Sequence, residues 1–292
     1  MSENNKIAFV ILHYQNIDVT HECVHYLLQI SKIQDTEIVI VDNASPNKSG
    51  EILRNEYKAY NNMHIIVNES NMGFSAGNNI GYRYAKDKLH CTMIIVMNSD
   101  CFIKNLNFID ELNSAKRYYA DASILAPDII LKNGAHQNPY LLKPIPSVEQ
   151  KKIIRRKEVG LCLYSIPLLG DALLHRDSVK NYQPYHAKKI DHEILQLVPH
   201  GACLIYLPNW IKREEIAFVE GTFLFVEEEL LFDYCLYRNH HIIYDPDLTV
   251  FHMEDASQNS INKNLRKKKI FQIKNEIKSR KLLLKKRQGY KK

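Results

Sequence analysis

Residues 91–101 read CTMIIVMNSDC, a short apolar run that ends in three polar residues. The run at 93–97 has the length and the β-branched content of a strand that is buried on both faces. Asn98, Ser99 and Asp100 then fall at the carboxyl end of that strand, the edge where open α/β sheets bind ligands. A carboxylate there is well sited to hold Mg²⁺ against a phosphate, since such sites combine one or two carboxylates with substrate oxygens and water. The same three residues would also suit a turn or a helix cap.

Strand-like and helix-like stretches alternate along the first hundred residues. Buried strands are predicted at residues 7–12, 37–41, 64–67 and 93–97, and helices at about 18–32 and 49–60. Residues 71–81, which read NMGFSAGNNIG, are interpreted as a glycine- and asparagine-rich loop that leads into a further helix. Because strands alternate with helices, we expect βαβ units with right-handed crossovers and a parallel sheet.

The composition is that of an ordinary globular protein, with 45% hydrophobic and 25% charged residues among 292. No apolar run approaches the roughly 18 residues that a membrane-spanning helix needs. The opening residues, MSENNKIAFVILHY, lack the basic start and the cleavage site of a signal peptide, and are expected to lead into a first strand. Six cysteines are scattered without a C-x-x-C pair, which favours free thiols in a reducing cytoplasm over a disulfide framework or a zinc site.

Residues 133–199 are the least regular part of the body. They contain six prolines and the basic cluster KKIIRRK at 151–157. We interpret this stretch as a loop-rich excursion with one or two short helices. Regular structure is expected to resume at residues 201–207, which read GACLIYL.

Basic charge is concentrated at the end of the chain. Residues 262–292 hold 14 of the 39 lysines and arginines but one of the 33 acids, which gives them a net charge of +13 and leaves −7 for the rest. Apolar side chains recur there at helical spacing at Ile270, Ile273, Ile277 and Leu284. We therefore expect residues 259–292 to form a basic amphipathic helix that lies on an anionic membrane surface. A solvated tail and a nucleic-acid patch are the alternatives, and the body carries no recognisable nucleic-acid module, so nucleic acid is not expected as a partner.

Two stretches carry residues suited to binding a nucleotide. Asp42 follows a predicted strand and could accept a hydrogen bond from the imide N–H of uracil or thymine, although Asp-Asn before Ser-Pro is also good turn chemistry. Gly73 and Gly77 permit positive φ and a close approach of the backbone to a ligand. Their spacing fits neither a dinucleotide-binding fingerprint nor a P-loop. A plain loop with a helix cap is the alternative for the second stretch.

Two further stretches carry acid–base or metal chemistry. Glu227, Glu228 and Glu229 arrive in a row after an apolar approach. At a helix start they would be favoured by the macrodipole alone, whereas apolar walls and like charges would raise a carboxyl pKa and suit a general base. His252 ends a strand-like run from residue 242. An imidazole with a carboxylate is an acceptable set for Mn²⁺ or Mg²⁺, although a histidine at a strand end is usually only a packed or surface residue.

Seven short motifs in order resemble the family 2 glycosyltransferases of the GT-A fold, particularly the bacterial rhamnosyltransferase-like branch that builds surface polysaccharides. They are VILHYQN at 10–16, VIVDNAS at 39–45, N-x-GFS-x-GNN at 71–79, NSD at 98–100, HGA at 200–202, FLF-x-EE at 223–228 and Y-x-P-x-x-x-V-x-H at 244–252. The resemblance covers about residues 6–257. It implies an α/β GT-A domain over residues 1–258, with a Rossmann-like, mostly parallel central sheet flanked by helices, with residues 133–199 on the acceptor side, and with the basic helical tail after it.

The resemblance also implies donor and metal residues. The nucleotide-binding positions it indicates are Tyr14, Asp42, Asn43, Gly73, Gly77, Asn78 and Ser99. Asp100 takes the place of a metal-binding aspartate in the family's D-x-D motif, while the first position of that motif is Asn98 here. His252 matches a later metal-binding histidine of the family. Mg²⁺ or Mn²⁺ is the expected cofactor.

Catalytic and acceptor residues follow in the same way. The family commonly has Glu-Asp where this chain has Glu227 and Glu228, and the second acid is usually the base, so we expect Glu228 to be the base and Glu227 to be the second choice. His200 and Gly201 are expected to contact the acceptor. The expected activity is the inverting transfer of a sugar, hexosyl or rhamnosyl, from a UDP- or dTDP-linked donor to a hydroxyl of a saccharide or lipid-linked acceptor. Capsule or lipopolysaccharide synthesis is the expected setting, at the inner face of the cytoplasmic membrane.

Two alternatives to this activity are open at the level of sequence. A sugar-phosphate nucleotidyltransferase also combines a doubly wound sheet with a metal, but it normally carries a glycine-rich, basic phosphate loop near its start. Residues 13–22, HYQNIDVTHE, contain neither glycine nor arginine. A non-catalytic scaffold of the same fold, bound to membrane through its tail, is the second alternative. The presence of Asp100, Glu228 and His252 together argues against it.

Overall fold

The computed structural model describes residues 6–32, 36–177, 188–254 and 265–290. Within these ranges the strands are β1 (Ile7–His13), β2 (Thr36–Asp42), β3 (Met63–Val67), β4 (Met93–Asn98), β5 (Cys101–Phe102), β6 (Ile124–Leu131), β7 (Ile194–Leu195), β8 (Cys203–Tyr206) and β9 (Ile242–His252). The α-helices are α1 (Ile17–Ser31), α2 (Ser49–Tyr57), α3 (Gly73–Arg83), α4 (Phe108–Tyr118), α5 (Ser147–Ser165), α6 (Pro167–Asp177), α7 (Pro208–Ile211), α8 (Glu227–Arg238) and α9 (Leu265–Tyr290). A π-helical turn, Tyr84–Lys88, follows α3 directly.

All nine described strands join one sheet in the order β3-β2-β1-β4-β8-β6-β9-β5, with β7 paired to β9. The strands β3, β2, β1 and β4 are parallel, as the alternation of strands and helices predicts, and so are β6 and β9. The pairs that β8 makes with β4 and β6, and that β5 and β7 make with β9, are antiparallel. The sheet is therefore mixed, with β5, β7 and β8 running against the other described strands.

Apolar layers cover both faces of the sheet. On β1 successive side chains alternate between them, so that Phe9 packs in one layer and Val10 in the other. Helices α1, α2 and α4 contribute to the first layer, and α3, α7 and α8 to the second. Since both faces are buried, polar residues of these strands concentrate at their carboxyl ends. The register brings three such ends together, with His13 opposite Asp42 and Leu12 opposite Asn98.

Residues 133–199 contain more helix than the sequence suggests. In place of short helices in a loop, α5 runs for 19 residues and α6 for 11. Few of the apolar residues of α5 are buried, and two of them, Ile154 and Tyr164, form a small core with Ile273 and Ile277 of α9. The helical pattern of α5 is complete only with α9 in place, which is why the sequence alone does not reveal it.

The expectation of a tail separate from the body is corrected by α9. Its apolar stripe lies against α5 and α6, and Leu283 is fully buried against Val226 and Leu230. Arg287 donates to Asp233 Oδ2 at 2.5 Å and to the Ile145 carbonyl at 2.7 Å. That stripe is consequently not available to a membrane.

The predicted boundary at residues 258–259 lies outside the described residues, as do residues 262–264 and 291–292 of the basic segment. No helix in the described parts of the chain has the length and apolarity needed to cross a bilayer.

Arg287 gives a direct test of how α9 is held. Replacing it with methionine leaves the buried Asp233 carboxylate without its cation, so the free energy of unfolding should fall by about 3–5 kcal/mol. Urea denaturation measures this change. Lys285→Met, on an exposed position of the same helix, is the matched control and should stay within about 0.5 kcal/mol of the unmodified chain. Equal stability of the two variants would show that this ion pair does not hold α9.

Candidate active site

A cavity of about 500 Å³ opens at the carboxyl ends of β1, β2 and β4. Among the residues predicted to bind a nucleotide or metal, those that line it are Tyr14, Asn43, Gly73, Ser99 and Asp100. Asn98 lines it as well. The volume lies in the range of cavities that hold small organic ligands. The sequence therefore placed the cavity at the correct edge of the sheet.

Asn43 organises one wall of this cavity. Its side-chain amide donates to the Gly73 carbonyl at 3.1 Å and to Asn71 Oδ1 at 3.0 Å, and its own Oδ1 accepts from the Met72 backbone N–H at 2.9 Å. These bonds satisfy the buried amide and fix the residues before α3. Gly73 has φ +79°, and a Cβ there would lie 2.6 Å from the Phe223 carbonyl oxygen. Only glycine allows this close approach of Phe223, which also lines the cavity.

Asp42 is the last residue of β2, and its side chain binds the turn that follows and does not line the cavity. Its carboxylate accepts from the Ser45 backbone N–H at 3.2 and 3.3 Å and also from the Ser45 hydroxyl. The side chain is almost completely buried. This is the turn chemistry that Asp-Asn before Ser-Pro favours. Contact between Asp42 and a nucleotide base stays a prediction.

Gly77 and Asn78 lie inside α3 and do not line the cavity. The interpretation of residues 71–81 as a loop was wrong, because the helix already begins at Gly73. A Cβ at Gly77 would lie 2.7 Å from Leu12 Cδ1, so this glycine lets α3 pack closely on β1. Asn78 is buried and donates to the Phe74 carbonyl, while its Oδ1 has no partner among the described residues. The diphosphate contacts expected of both residues stay predictions.

Asp100 and His252 meet where β5 pairs with the end of β9. Cys101 lies opposite His252, and the Met253 N–H donates to the Asp100 carbonyl at 2.9 Å. His252 Nε2 thereby comes within 3.2 Å of Asp100 Oδ1. Both side chains are buried, and Asp100 faces the cavity.

The surroundings of His252 fit a cation between its ring and Asp100. Gln137 Oε1 lies 2.6 Å from His252 Nδ1, and because an amide oxygen only accepts, Nδ1 carries the hydrogen. Gln137 Nε2 lies 3.5 Å from a Glu254 oxygen, which agrees with that orientation of the amide. In a neutral ring the bare Nε2 then faces a carboxylate, so a proton or a metal ion is needed between the two acceptors. An imidazole fixed from behind by an outer partner is typical of metal sites.

Cys101 completes a cluster with Asp100 and His252 whose potential ligand atoms lie within 4.8 Å of one another. Its thiol donates to the Ala202 carbonyl at 3.3 Å. Burial raises the pKa of Cys101 well above its usual range, so the sulfur keeps its hydrogen and is a poor ligand. Asp100 and His252 are therefore the residues suited to hold Mg²⁺ or Mn²⁺.

Glu227 and Glu228 are the first residues of α8, as the macrodipole favours. They follow a strained turn in which Phe225 and Val226 both have φ +73°, a conformation rare for a β-branched residue. Burial and the neighbouring Glu228 raise the pKa of Glu227 to about 8. Burial also raises the pKa of Glu228, and the N–H groups of Gly201 and of Glu228 itself oppose that rise. The raised pKa of Glu227 favours its protonated form near neutral pH, whereas Glu228 is half-buried and lies against Gly201, where a substrate can reach it.

Residues 200 and 201 connect the acids of α8 with the Asp100–His252 pair. The His200 ring centroid lies 5.9 Å from that of His252, and a Cβ at Gly201 would lie 3.0 Å from Glu228 Oε1. The His200 N–H donates to Asn138 Oδ1 at 2.6 Å, which fixes the backbone here. Burial lowers the pKa of His200 to about 3, so its ring is neutral. The expected acceptor contacts of His200 and Gly201 stay predictions.

The sequence profile of glycosyl transferase family 2 matches residues 8–180, which is more than half of the chain. This chain belongs to glycosyl transferase family 2. Membership of this family excludes the alternative that the chain is a sugar-phosphate nucleotidyltransferase, and it confirms the family that the seven motifs indicate. The rhamnosyltransferase-like branch stays a prediction.

Relatives of known name agree with the family and with its fold. The chain is 29% identical over 198 residues to the low-salt glycan biosynthesis hexosyltransferase Agl10 of Haloferax volcanii, which covers 68% of this chain and 52% of Agl10. The chain thus spans about half the length of that relative. Crystal structures of S. aureus TarS 1–349, alone and in complex with UDP-GlcNAc, superpose with TM-scores of 0.53 and 0.54. They cover 85% and 88% of this chain and 60% and 61% of the TarS 1–349 chain, at 16% and 15% identity, which shows the fold alone.

The contribution of α9 to this family 2 site is not predicted from the sequence. The cavity is also lined by Phe223, Leu224, Phe225, Lys268, Phe271 and Gln272. The three α9 residues lie far along the chain from the motifs, and their basic surroundings indicate only an anionic partner. The third acid, Glu229, is structural, because it accepts from the Gln150 amide at 2.8 Å and from the Ile145 N–H at 3.1 Å.

Glu227 should make the stability of the protein depend on pH. Its pKa is about 8 in the folded chain against a usual 4.5, so between these values the unfolded chain binds fewer protons than the folded one. The free energy of unfolding must then fall as pH rises through this window. We expect Glu227→Gln to flatten the decline and to gain at least about 1 kcal/mol on the unmodified chain at pH 8. Urea denaturation from pH 5 to 8.5 measures this, with the exposed Glu69→Gln as control. Parallel curves for all three proteins would contradict the raised pKa.

Proposed function

We propose that this chain transfers a sugar from a nucleoside diphosphate sugar to a hydroxyl group of an acceptor, with inversion at the anomeric carbon. The observation that carries the proposal is that a candidate metal site and a candidate general base lie on either side of residues 200–201. On one side Asp100 and His252 face the cavity, and on the other Glu228 lies against Gly201. A leaving group and a base are needed on opposite sides of the reacting carbon, and this arrangement supports both.

The donor occupies the 500 Å³ cavity in this proposal. Its base lies towards Tyr14 and Asn43, and its diphosphate lies towards Ser99 and Asp100. Lys268 lines the same cavity and brings a positive charge to the diphosphate. The complex of TarS with UDP-GlcNAc supports a UDP-linked donor, and a dTDP-linked donor is the second choice.

A divalent ion held by Asp100 and His252 would offset the negative charge that develops on the leaving diphosphate. The protein's part is to orient both ligands. Gln137 holds the hydrogen of His252 on Nδ1, and the pairing of β5 with β9 keeps Asp100 against the ring. Mg²⁺ and Mn²⁺ both suit a carboxylate with an imidazole.

Glu228 acts as the general base. The acceptor hydroxyl gives its proton to the Glu228 carboxylate, and its oxygen forms a bond to the anomeric carbon as the bond from that carbon to the diphosphate breaks. One displacement inverts the configuration. Glu227 keeps its own proton near neutral pH and so does not compete for the role. The Gly201 N–H orients the Glu228 carboxylate.

The acceptor is a saccharide or a lipid-linked saccharide in this proposal. The name of Agl10 supports glycan biosynthesis and a hexosyl group, while rhamnosyl transfer rests on the resemblance of the motifs. Surface polysaccharide synthesis, as in capsule or lipopolysaccharide, is the proposed setting. The enzyme would work in the cytoplasm, on the inner face of the membrane.

The purified chain tests the proposal when it is screened with Mn²⁺ against nucleotide sugars for nucleotide release. With the donor so identified, Glu228→Gln should lower kcat by about 10²–10⁴-fold, because the variant keeps the size of the side chain and loses the proton acceptor. Donor affinity should stay nearly unchanged. Glu227→Gln is the matched control and should reduce kcat far less. A severe loss in Glu227→Gln with a mild one in Glu228→Gln would assign the base to Glu227.

A further inference from the structure

The outer face of α5 is exposed along the helix, and its exposed side chains change from basic to apolar half-way along it. Its first half presents the basic side chains Lys151, Lys152, Arg155 and Arg156. Its second half continues into α6 through five exposed apolar residues, Val159, Leu163, Ile166, Leu168 and Leu169, which we call the apolar corner. Leu168 is 89% exposed and Val159 61% exposed. An exposed apolar cluster of this kind, bordered by charge, is typical of an interaction surface.

A stripe of lysines on α9 borders the same face. Its members, spaced by four, three and four residues on one side of the helix, are Lys274, Lys278, Lys281 and Lys285. All four are exposed, and Lys281 Nζ reaches Glu158 Oε1 of α5 at 2.6 Å. The acids Glu149 and Glu158 of α5 are each matched by one lysine. Basic charge therefore remains in excess across both helices.

The apolar corner lies close to the donor cavity. Arg266 of α9 binds Asp171 of α6 at 3.3 Å, and Lys269 lies 5.9 Å from the Tyr164 ring centroid of α5. Lys268 and Phe271, on the same two turns of α9, line the cavity. The start of α9 thus contacts residues beside the corner, Tyr164 and Asp171, and also lines the cavity.

We propose that the apolar corner and its basic border form a docking surface for an anionic lipid bilayer. The corner would enter the boundary between headgroups and acyl chains, and the lysines and arginines would contact anionic headgroups. A lipid surface satisfies both the apolar and the basic parts. A second copy of this chain, pairing through the same face, would bring two basic surfaces together and be repelled.

This docking surface replaces the apolar stripe of α9 as the membrane contact, because that stripe is buried while the lysines beside it are exposed. The surface also orients the cavity relative to the bilayer. A lipid-linked acceptor would then reach the site from the membrane through the side of the corner, a consequence that rests on the proposed function.

Flotation of the full chain with vesicles of phosphatidylglycerol and phosphatidylcholine tests the docking surface without any substrate. The unmodified chain should float at low salt and be released as salt rises, because screening weakens the attraction. Leu168→Glu should lower the partition coefficient by about tenfold or more, since it removes apolar area and adds a repelled charge. The double charge reversal Arg155→Glu with Arg156→Glu should also abolish binding at low salt. Circular dichroism melts check that the variants are folded.

Matched controls lie elsewhere on the surface. Leu195→Glu changes another exposed leucine, and Lys58→Glu with Lys132→Glu reverses two exposed lysines, so both should float like the unmodified chain. Failure of the unmodified chain to float would overturn the proposal, as would equal flotation of Leu168→Glu. Sedimentation velocity adds a third outcome: a dimer that Leu168→Glu converts to a monomer, without vesicle binding, would assign the corner to a second copy. A chain that floats but transfers no sugar would contradict the proposed function and leave the docking surface standing.

Discussion

The pairing of β5 with the last residues of β9 is the contact on which the candidate site depends. It brings Asp100 and His252 together from distant parts of the chain, with the carboxylate 3.2 Å from Nε2. Gln137 Oε1 accepts the hydrogen of His252 Nδ1, and the lone pair of Nε2 in the neutral ring therefore faces the Asp100 carboxylate. Two buried acceptors in contact are costly unless a cation lies between them. The pairing of β5 with β9 thus creates a position between Asp100 and His252, at the edge of the cavity, that favours a positive charge.

The basic C-terminal helix stabilises the opposite side of the site. Ser279 of α9 donates its hydroxyl to the Leu224 carbonyl at 2.8 Å, and Leu283 packs against Val226. These contacts hold the left-handed turn at residues 225–226 that leads into Glu227. Backbone strain of this kind persists only where the surroundings enforce it. The helix α9, which the sequence predicts to be a tail separate from the body, therefore helps to hold Glu227 and Glu228 in position. It also contributes Lys268 to the lining of the cavity.

Local sequence signals predicted the core of the sheet and part of the site. Continuous apolar runs located β1, β2 and β4 to within a residue or so, and Asp100 was correctly placed at the cavity. The length of α5 and the position of α9 could not be predicted, because several apolar residues of α5 are exposed and the core that the two helices share forms only when they pair. Gly77 shows a further limit, since a glycine that allows close helix–strand packing has the same sequence signature as one that contacts a ligand.

Binding of Mn²⁺ tests most directly whether Asp100 and His252 form a metal site. Electron paramagnetic resonance can count bound Mn²⁺ on the purified chain in the presence of UDP, without reference to activity. The unmodified chain should bind about one ion, and Asp100→Asn and His252→Gln should each weaken that binding by at least about tenfold, because each removes one of two protein ligands. His64→Gln, which changes a histidine on β3, should bind like the unmodified chain. Unchanged Mn²⁺ affinity in both Asp100→Asn and His252→Gln would contradict the assignment.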